Sequence, residues 1–508
     1  MSRQRLTNFR PALYLAAGTA AGIAAAFFLP IGLRAALIVL FAVALVLFIC
    51  KKKTGAAIFC AAVLAGAAAA DIFVALFPDR SVQGLISGRI TDASVCDDEG
   101  MLMAREGVFV LQLDKLSADG VQLSGKGSLE LSLRAPANLK VGDTLVFYGS
   151  AGASEFSPDA YSSLSAAKYR LYYEIVCFEP QNISVISGSP SAVESVRLAF
   201  KKTIFDNCST GTASFLYAMI FGDVAYMSED VAQPFRDTGT AHLFAVSGLH
   251  VALLFYACTA LLDKIKMPQL ARFAGGAFIM VGYCALCSFS PSVVRSAVMI
   301  MTAEVCKPLR VRYEPLSAMG FSAAVLLLCA PYFLLDAGFL MSYGAVAGIL
   351  CAYKPLLGVL QKVLWKPIAE AVAISVASNL GLLPLMFAYF GTISLLTVPV
   401  NLVVVPLTSL FYPFLLASLA IAVVLPPLGG LLTLLSVPTY ISVLFVQAAA
   451  KVSSAAFNAV FSPLLCVFYY PLFACASVYC RAPAAVKRTC GVLCLCICAA
   501  ACLVTLPV

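Results

Sequence analysis

Runs of about twenty apolar residues recur along this chain, and they decide what it can become. Ile31 to Cys50 holds a single charge, Arg34. Twenty helical residues at about 1.5 Å each cross the roughly 30 Å hydrocarbon core of a bilayer. Similar runs fill Pro11 to Leu29 and Gly55 to Phe77, and more crowd the second half. Of 508 residues, 61% are hydrophobic and 12% charged, with a mean hydropathy of +0.93. A soluble domain has no place for so much apolar surface. The reading is a polytopic α-helical membrane protein with about ten to thirteen membrane segments. No small-residue cleavage site follows the first run, and Pro30 comes directly after it, so no cleavable signal peptide is expected.

Positive charge orients the first helices. Arg3, Arg5 and Arg10 precede the first run, and Lys51-Lys52-Lys53 follow the second. Basic residues favour the cytoplasmic side. A multi-pass protein of the cell membrane with a cytoplasmic N-terminus fits both clusters. The third helix then ends outside.

Residues 80–190 change character. Apolar residues alternate in Gly107 to Leu113, Ser128 to Leu133 and Asp143 to Tyr148. Alternation bounded by Gly, Asp and Asn predicts short strands. About 110 such residues make a small all-β barrel or sandwich outside the membrane. The insert carries nine basic and thirteen acidic residues, a balance of −4. That is not the basic footprint usual in nucleic-acid binding, although Tyr169, Arg170, Tyr172 and Tyr173 form a local patch. Its two cysteines, Cys96 and Cys177, are a disulfide candidate if the insert lies outside. Such a bond stabilises by up to about 5 kcal/mol. Two buried thiols are the equal alternative.

The remaining cysteines read as packing. Cys490, Cys494, Cys496, Cys498 and Cys502 crowd one apolar stretch with no His or carboxylate among them, where cysteine behaves as a small hydrophobe. Ser191 to Asn207 predicts an amphipathic helix. Val193, Val196, Ala199 and Phe200 recur at helical spacing, with Arg197, Lys201 and Lys202 on the other side. Four regions follow: 1–78 in the membrane, 79–190 outside, 191–210 connecting, and 211–508 in the membrane again.

The second membrane region centres on Thr238 to Leu254, which holds both histidines of the chain, His242 and His250. Ser247-Gly248 interrupts its apolar run, and Arg236-Asp237 stand at its mouth. Polar groups in a membrane segment usually face a bundle interior or a watery cavity. Upstream, the short run Thr212 to Phe221 ends at Gly222-Asp223, and Asp223 is placed to meet Arg236. Downstream, Ser290-Pro291-Ser292 breaks the chain just before Arg295.

The two histidines and the serine of this centre suggest two chemistries. Eight residues put His242 and His250 about 12 Å apart along an unbroken helix, too far for one zinc to take both at about 2 Å. A break at Ser247-Gly248 brings them closer, yet no third histidine exists. No metal and no cofactor is therefore expected. Ala245 to Gly248 faintly resembles the Gly-x-Ser-Gly of rhomboid intramembrane proteases. Those place Ser and His on different helices, as a triad requires, and here no other helix carries a histidine. No catalytic residue is assigned.

Taken together, the motifs resemble a known family, the ComEC-type competence proteins. The match begins at Phe215 to Asp223 (F-L-Y-A-M-I-F-G-D) and runs through Phe235 to His250 (F-R-D-T-G-T-A-H-L-F-A-V-S-G-L-H). It resumes at Ser290 to Met299 (S-P-S-V-V-R-S-A-V-M) and Asp336 to Tyr343 (D-A-G-F-L-M-S-Y). It ends with Ser378-Asn379, Pro384, Phe390-Gly391 and Asn401 to Pro406. The N-terminal half is similar mainly at Val141-Gly142-Asp143 and around Glu155 to Tyr161.

The resemblance implies an OB-like extracytoplasmic domain after the third helix. It implies a channel that carries single-stranded DNA across the cytoplasmic membrane in natural transformation. The partners implied are a DNA receptor outside and a helicase or single-strand-binding protein inside. Many relatives end in a metallo-β-lactamase-like domain. The two histidines here both lie in the membrane part, so a form without that domain is implied, with any nuclease a separate protein. For the DNA path, the candidates are Asp223, Arg236, His242, Ser247, His250, Ser290, Ser292, Arg295, Ser342, Asn379 and Asn401. Arginine forks onto phosphate oxygens, and the serines and asparagines line a wet path. The bland alternative is that these groups tie helices together. A transporter of another polar or anionic substrate is the second reading, and an intramembrane hydrolase the third.

Overall fold

The computed structural model describes residues 11–50, 54–75, 77, 81–93, 108–123, 126–132, 139–153, 171–178, 182–390, 392–394, 396–452, 456–458, 463–477, 479, 483 and 486–494. Cys96, the Glu155 to Tyr161 motif, the Tyr169-Arg170 pair and the basic clusters flanking the first two helices lie outside these residues. In chain order the elements are α1 (Pro11–Phe28), α2 (Ile31–Cys50) and α3 (Thr54–Ala75), then seven strands. The strands are β1 (Val82–Ala93), β2 (Val108–Ala118), β3 (Val121–Gln122), β4 (Lys126–Ser132), β5 (Thr144–Ala153), β6 (Leu171–Cys177) and β7 (Ser184–Ile186). Next come α4 (Ala192–Asn207), α5 (Thr210–Phe221), α6 (Glu229–Asp237), α7 (Gly248–Lys264), α8 (Gln269–Leu286), α9 (Pro291–Cys306) and α10 (Pro315–Cys329). The chain continues with α11 (Ala337–Leu360), α12 (Lys366–Phe390), β8 (Thr392–Ser394), α13 (Thr397–Val424), α14 (Gly429–Ala450), β9 (Ala456–Asn458) and α15 (Pro463–Ala476).

Among the described residues nine helical stretches are long and apolar enough to cross a membrane. They are α1, α2 from Leu33, α3, Ala241–Lys264, α8, α11, α12, α13 and Pro426–Ala450. The fifteen-residue α10 and twelve-residue α5 are apolar but shorter. The polytopic helical class therefore stands; the span expected over 490–507 lies largely outside the described residues.

Two compact units form, one from Met1–Asp206 with Val305–Asp336, the other from Asn207–Glu304 with Ala337–Val508. In the first, α1 and α3 meet through small residues. Gly18, Gly22 and Gly66 stand where a Cβ would strike the facing helix backbone at Phe59, Val63 and Thr19. Close backbone approach is how helices associate where lipid removes the usual hydrophobic drive. Arg34 on α2 donates to Asp71 on α3 at 2.6 Å, which neutralises the one charge of that run.

The strands close into a small barrel. β1 pairs with β2, β2 with β4, β4 in parallel with β6, β6 with β5, and β5 back with β1. Alternation sends Ile86, Ile90, Leu111, Leu113, Leu129, Leu145 and Phe147 into its core. The Val141-Gly142-Asp143 motif is a corner of this barrel. Gly142 has φ +101°, and a Cβ there would lie 2.6 Å from the backbone of Ser189 and Pro190. The buried Asp143 carboxylate accepts the Lys140 amide at 2.9 Å and the Gly188 amide at 3.1 Å. Arg89 and Asp114, opposite each other on β1 and β2, form a two-pronged pair at 2.9 and 3.0 Å. That carboxylate holds the Arg89 guanidinium above its ordinary pKa.

α4 begins with a capping box. Glu194 accepts the Ser191 amide at 2.6 Å, and Ser191 Oγ accepts the Glu194 amide at 3.3 Å. The expected polar and apolar faces are not those observed. Val193 and Val196 are exposed, while Lys201 is 3% exposed with its ammonium 5.8 Å from the Phe205 ring centre. A lysine stem is apolar and its head is drawn to an aromatic face, so the residue buries readily.

In the second unit α11 lies on α12 through Gly344, Gly348, Ala377 and Gly381. Pro384 removes the amide that would bond the Leu380 carbonyl. Tyr469 on α15 donates to that carbonyl at 2.7 Å, which resatisfies the freed group, as a membrane requires. β8 and β9 form a two-stranded sheet.

Candidate functional site

The focal run is broken, as Ser247-Gly248 suggested. After α6 the segment Thr238-Gly239-Thr240 turns tightly, with Gly239 at φ +70° and no room for a Cβ beside Thr397. The two buried threonine hydroxyls share a 2.8 Å bond, and Thr397 Oγ1 donates to the Thr238 carbonyl at 3.2 Å. A short 3-10 turn, Ala241–Phe244, follows. Ser247 then caps α7, its Oγ accepting the His250 amide at 3.2 Å. The serine hydroxyl thus meets the His250 backbone, while the His250 ring turns elsewhere.

That ring is 1% exposed and stacks on Tyr412 of α13, with centroids 4.2 Å apart and planes 13° from parallel. The Tyr412 hydroxyl lies 2.8 Å from that of Tyr283 on α8, and Tyr283 donates to the Ile220 carbonyl at 2.8 Å. Since Tyr283 gives its one proton to Ile220, Tyr412 must be the donor to Tyr283. Ile220 is in the last turn of α5, where carbonyls have no partner within the helix. A chain of three bonded groups therefore ties α5, α8 and α13 to the first turn of α7. The His250 Nδ1 is buried without a hydrogen-bond partner.

Arg295, in the second turn of α9, lies against Gly248 at the start of α7. It is 7% exposed, and its Nη2 donates to Ser296 Oγ at 3.4 Å. Its guanidinium carbon is 5.8 Å from the Tyr343 ring centre. Ser296 donates in turn to the Ser292 carbonyl at 2.8 Å. Ser290 begins α9, its carbonyl accepting the amides of Val293 and Val294 at 3.1 and 3.0 Å. The preceding corner is tight: Ser288 and Phe289 both adopt positive φ, +51° and +52°, a conformation few side chains accept.

Of the eleven candidate path residues, Ser247, His250 and Arg295 gather around the start of α7, with Ser292 joined through Ser296. The others stand apart. Arg236 is exposed and pairs with Glu229 of its own helix at 2.7 Å. Asp223 accepts the Ala225 amide at 3.0 Å in a turn after α5. Among the described residues no ion pair joins Asp223 to Arg236, whose carboxylate partner lies seven residues back on α6. His242, on its 3-10 turn, is the exception: it bonds the Gly239 backbone and lies near enough to His250 for their charges to interact. Asn379 donates to the Ser375 carbonyl one turn back at 2.9 Å, the helix-binding alternative. Asn401 buries its Oδ1 with no partner, and Ser342 is half-buried on α11. Cys177 ends β6, and its candidate partner Cys96 is outside the described residues. Among the described residues no three His, Cys, Asp or Glu side chains gather as a metal would require. Sequence reasoning missed Tyr283 and Tyr412, whose signal was a tyrosine inside a long apolar run.

The family model described as "Competence protein" matches residues 219–484, just over half of the chain. Over 252 residues the chain is 27% identical to ComE operon protein 3 of Bacillus subtilis, covering 49% of this chain and 30% of that protein. It is 29% identical over 148 residues to Recombination protein 2 of Haemophilus influenzae, covering 27% and 18%. It is 25% identical over 210 residues to the uncharacterized protein YcaI of Escherichia coli, covering 39% and 28%. The chain thus spans less than a third of the length of each of these relatives. No solved structure matches it. The matched region takes in the α7 start, Tyr283, Arg295 and Tyr412, and on that match the chain belongs to the competence protein family.

Proposed function

We propose that the chain carries single-stranded DNA across the cytoplasmic membrane during natural transformation. One observation carries the reading. The competence-matched half buries His250, stacked on Tyr412, and Arg295, set against Gly248, both at the start of α7. Burying an arginine and a histidine costs free energy that packing alone does not return. A membrane protein keeps such groups where something polar must pass or bind.

The barrel is read as an OB-like domain outside the membrane. Its strand connections, with the first strand shared between the second and the penultimate, are those of the five-stranded Greek-key barrel. Its acidic balance suits a guide at the channel mouth better than a tight DNA clamp. Domain limits of 1–78, 79–190, 191–210 and 211–508 and a cytoplasmic N-terminus go with this reading. A receptor and a nuclease would deliver the strand. A cytosolic helicase or single-strand-binding protein would draw it in, because the chain has no phosphate-binding Gly-rich loop of its own.

The test is uptake of fluorescent DNA in a host lacking this gene and in the same host with the gene restored. DNA is expected to stay outside the membrane in the deletion and to enter on restoration. Uptake unaffected by deletion would remove the DNA reading and leave transport of another anionic substrate in its place.

A further inference from the structure

Arg295 carries a buried charge with no counter-charge. Its Nε has no hydrogen-bond partner, and its Nη2 reaches only Ser296 at a long 3.4 Å. Among the described residues no carboxylate lies within ion-pair distance of it. Leaving a buried ion uncompensated is strongly unfavourable, so the arrangement is one half of an ion pair. The position of the other half is defined by Gly248. A Cβ on Gly248 would stand 3.1 Å from Arg295 Nη2 and 2.8 Å from Ser296 Oγ. The guanidinium therefore lies against the first residue of α7, a helix of 17 residues. The first amides of a helix have no partner within it and carry its positive pole. Ser247 takes the His250 amide, which leaves those of Gly248 and Leu249. Helix amides and a guanidinium at one point are the donors that hold a phosphate.

We infer that the Gly248 end of α7 and Arg295 form a seat for a single phosphate group, and that its ligand is one backbone phosphodiester of the moving strand. The identity of that ligand rests on the DNA reading above; the seat itself does not. A side chain at position 248 would push the ends of Arg295 and Ser296 aside.

The experiment uses the full chain in lipid nanodiscs. Binding of a fluorescein-labelled dT12 strand is measured by anisotropy over a range of salt, and binding of inorganic phosphate by equilibrium dialysis. Arg295→Gln is expected to weaken dT12 by about tenfold. It should also flatten the slope of log affinity against log salt by about 0.7, the share of one phosphate contact on a single strand. Gly248→Ala keeps the charge but fills the seat, and the same loss is expected. A strand with uncharged methylphosphonate linkages should bind both variants and the original chain alike. Should Arg295→Gln fail to fold, Gly248→Ala decides. Wild-type affinity and slope in either folded variant would overturn the seat while leaving the DNA reading intact. Phosphate binding that depends on Arg295, with no dT12 binding, would keep the seat and discard the strand as its ligand.

Discussion

Gly348→Leu is expected to destabilise the chain by about 3 kcal/mol or more, whereas Gly358→Leu on the same helix should leave it unchanged or slightly stabilised. A Cβ at Gly348 would collide with the Ala377 carbonyl oxygen and sit 2.9 Å from the Gly381 backbone. These are backbone atoms and cannot swing aside, so α11 and α12 must separate along their contact. Overpacking of this kind typically costs about 1–3 kcal/mol, and more where nothing can yield. A Cβ at Gly358 meets nothing within 4 Å. There leucine brings only its better helix propensity, about 0.8 kcal/mol over glycine. The check is the fraction of detergent-solubilised chain that stays monodisperse after a temperature series. At about 1.4 kcal/mol per tenfold change, a 3 kcal/mol loss lowers the folded-to-unfolded ratio more than a hundredfold. Equal midpoints for the two variants would show that the helices are not in backbone contact.

Tyr412→Ala is expected to cost about 3–5 kcal/mol. The ring is fully buried, carries the stacked His250, and leaves a cavity when removed. The hydroxyls are ranked separately. Tyr412→Phe removes only the donor to a Tyr283 oxygen that still donates onward, and about 1 kcal/mol is expected. Tyr283→Phe deprives the Ile220 carbonyl of its donor and leaves the Tyr412 proton without an acceptor. Each stranded group costs about 1–3 kcal/mol in a buried site. The Cys287 thiol, 3.6 Å from the same carbonyl, offsets part of this. Tyr283→Phe should therefore exceed Tyr412→Phe. The reverse order in thermal midpoints would contradict the proton direction assigned to the chain.

The parts of the molecule legible in the sequence were those with local causes. Apolar runs placed α1 to α3, and alternation placed β2, β4 and β5. The Ser-Gly pair placed the break ahead of α7. The Tyr283–Tyr412 pairing spans 129 residues, and the bond to Ile220 spans 63. No periodicity carries information across such separations, so two of the best-packed polar groups went unmarked. The Tyr469 bond that covers the carbonyl freed by Pro384 was hidden for the same reason. On α4 the pattern was legible but misleading, because charge was taken to mean exposure and Lys201 buries its long apolar stem. Arg236 and Asp223 looked like partners because both stood near the focal run. In the structure Arg236 bonds Glu229 two turns back on its own helix and Asp223 accepts an amide two residues on, and short range prevails when the local geometry permits a bond.

The path proposed for the DNA strand runs past the start of α7. The most direct measurement places a photoreactive p-benzoyl-phenylalanine at position 343, where the Tyr343 ring faces Arg295, and illuminates cells during uptake of labelled DNA. A control places the same group at Phe278, exposed on the apolar face of α8. The account predicts a covalent protein–DNA adduct at position 343 that appears only while uptake proceeds. Normal uptake with no adduct at position 343 would contradict it.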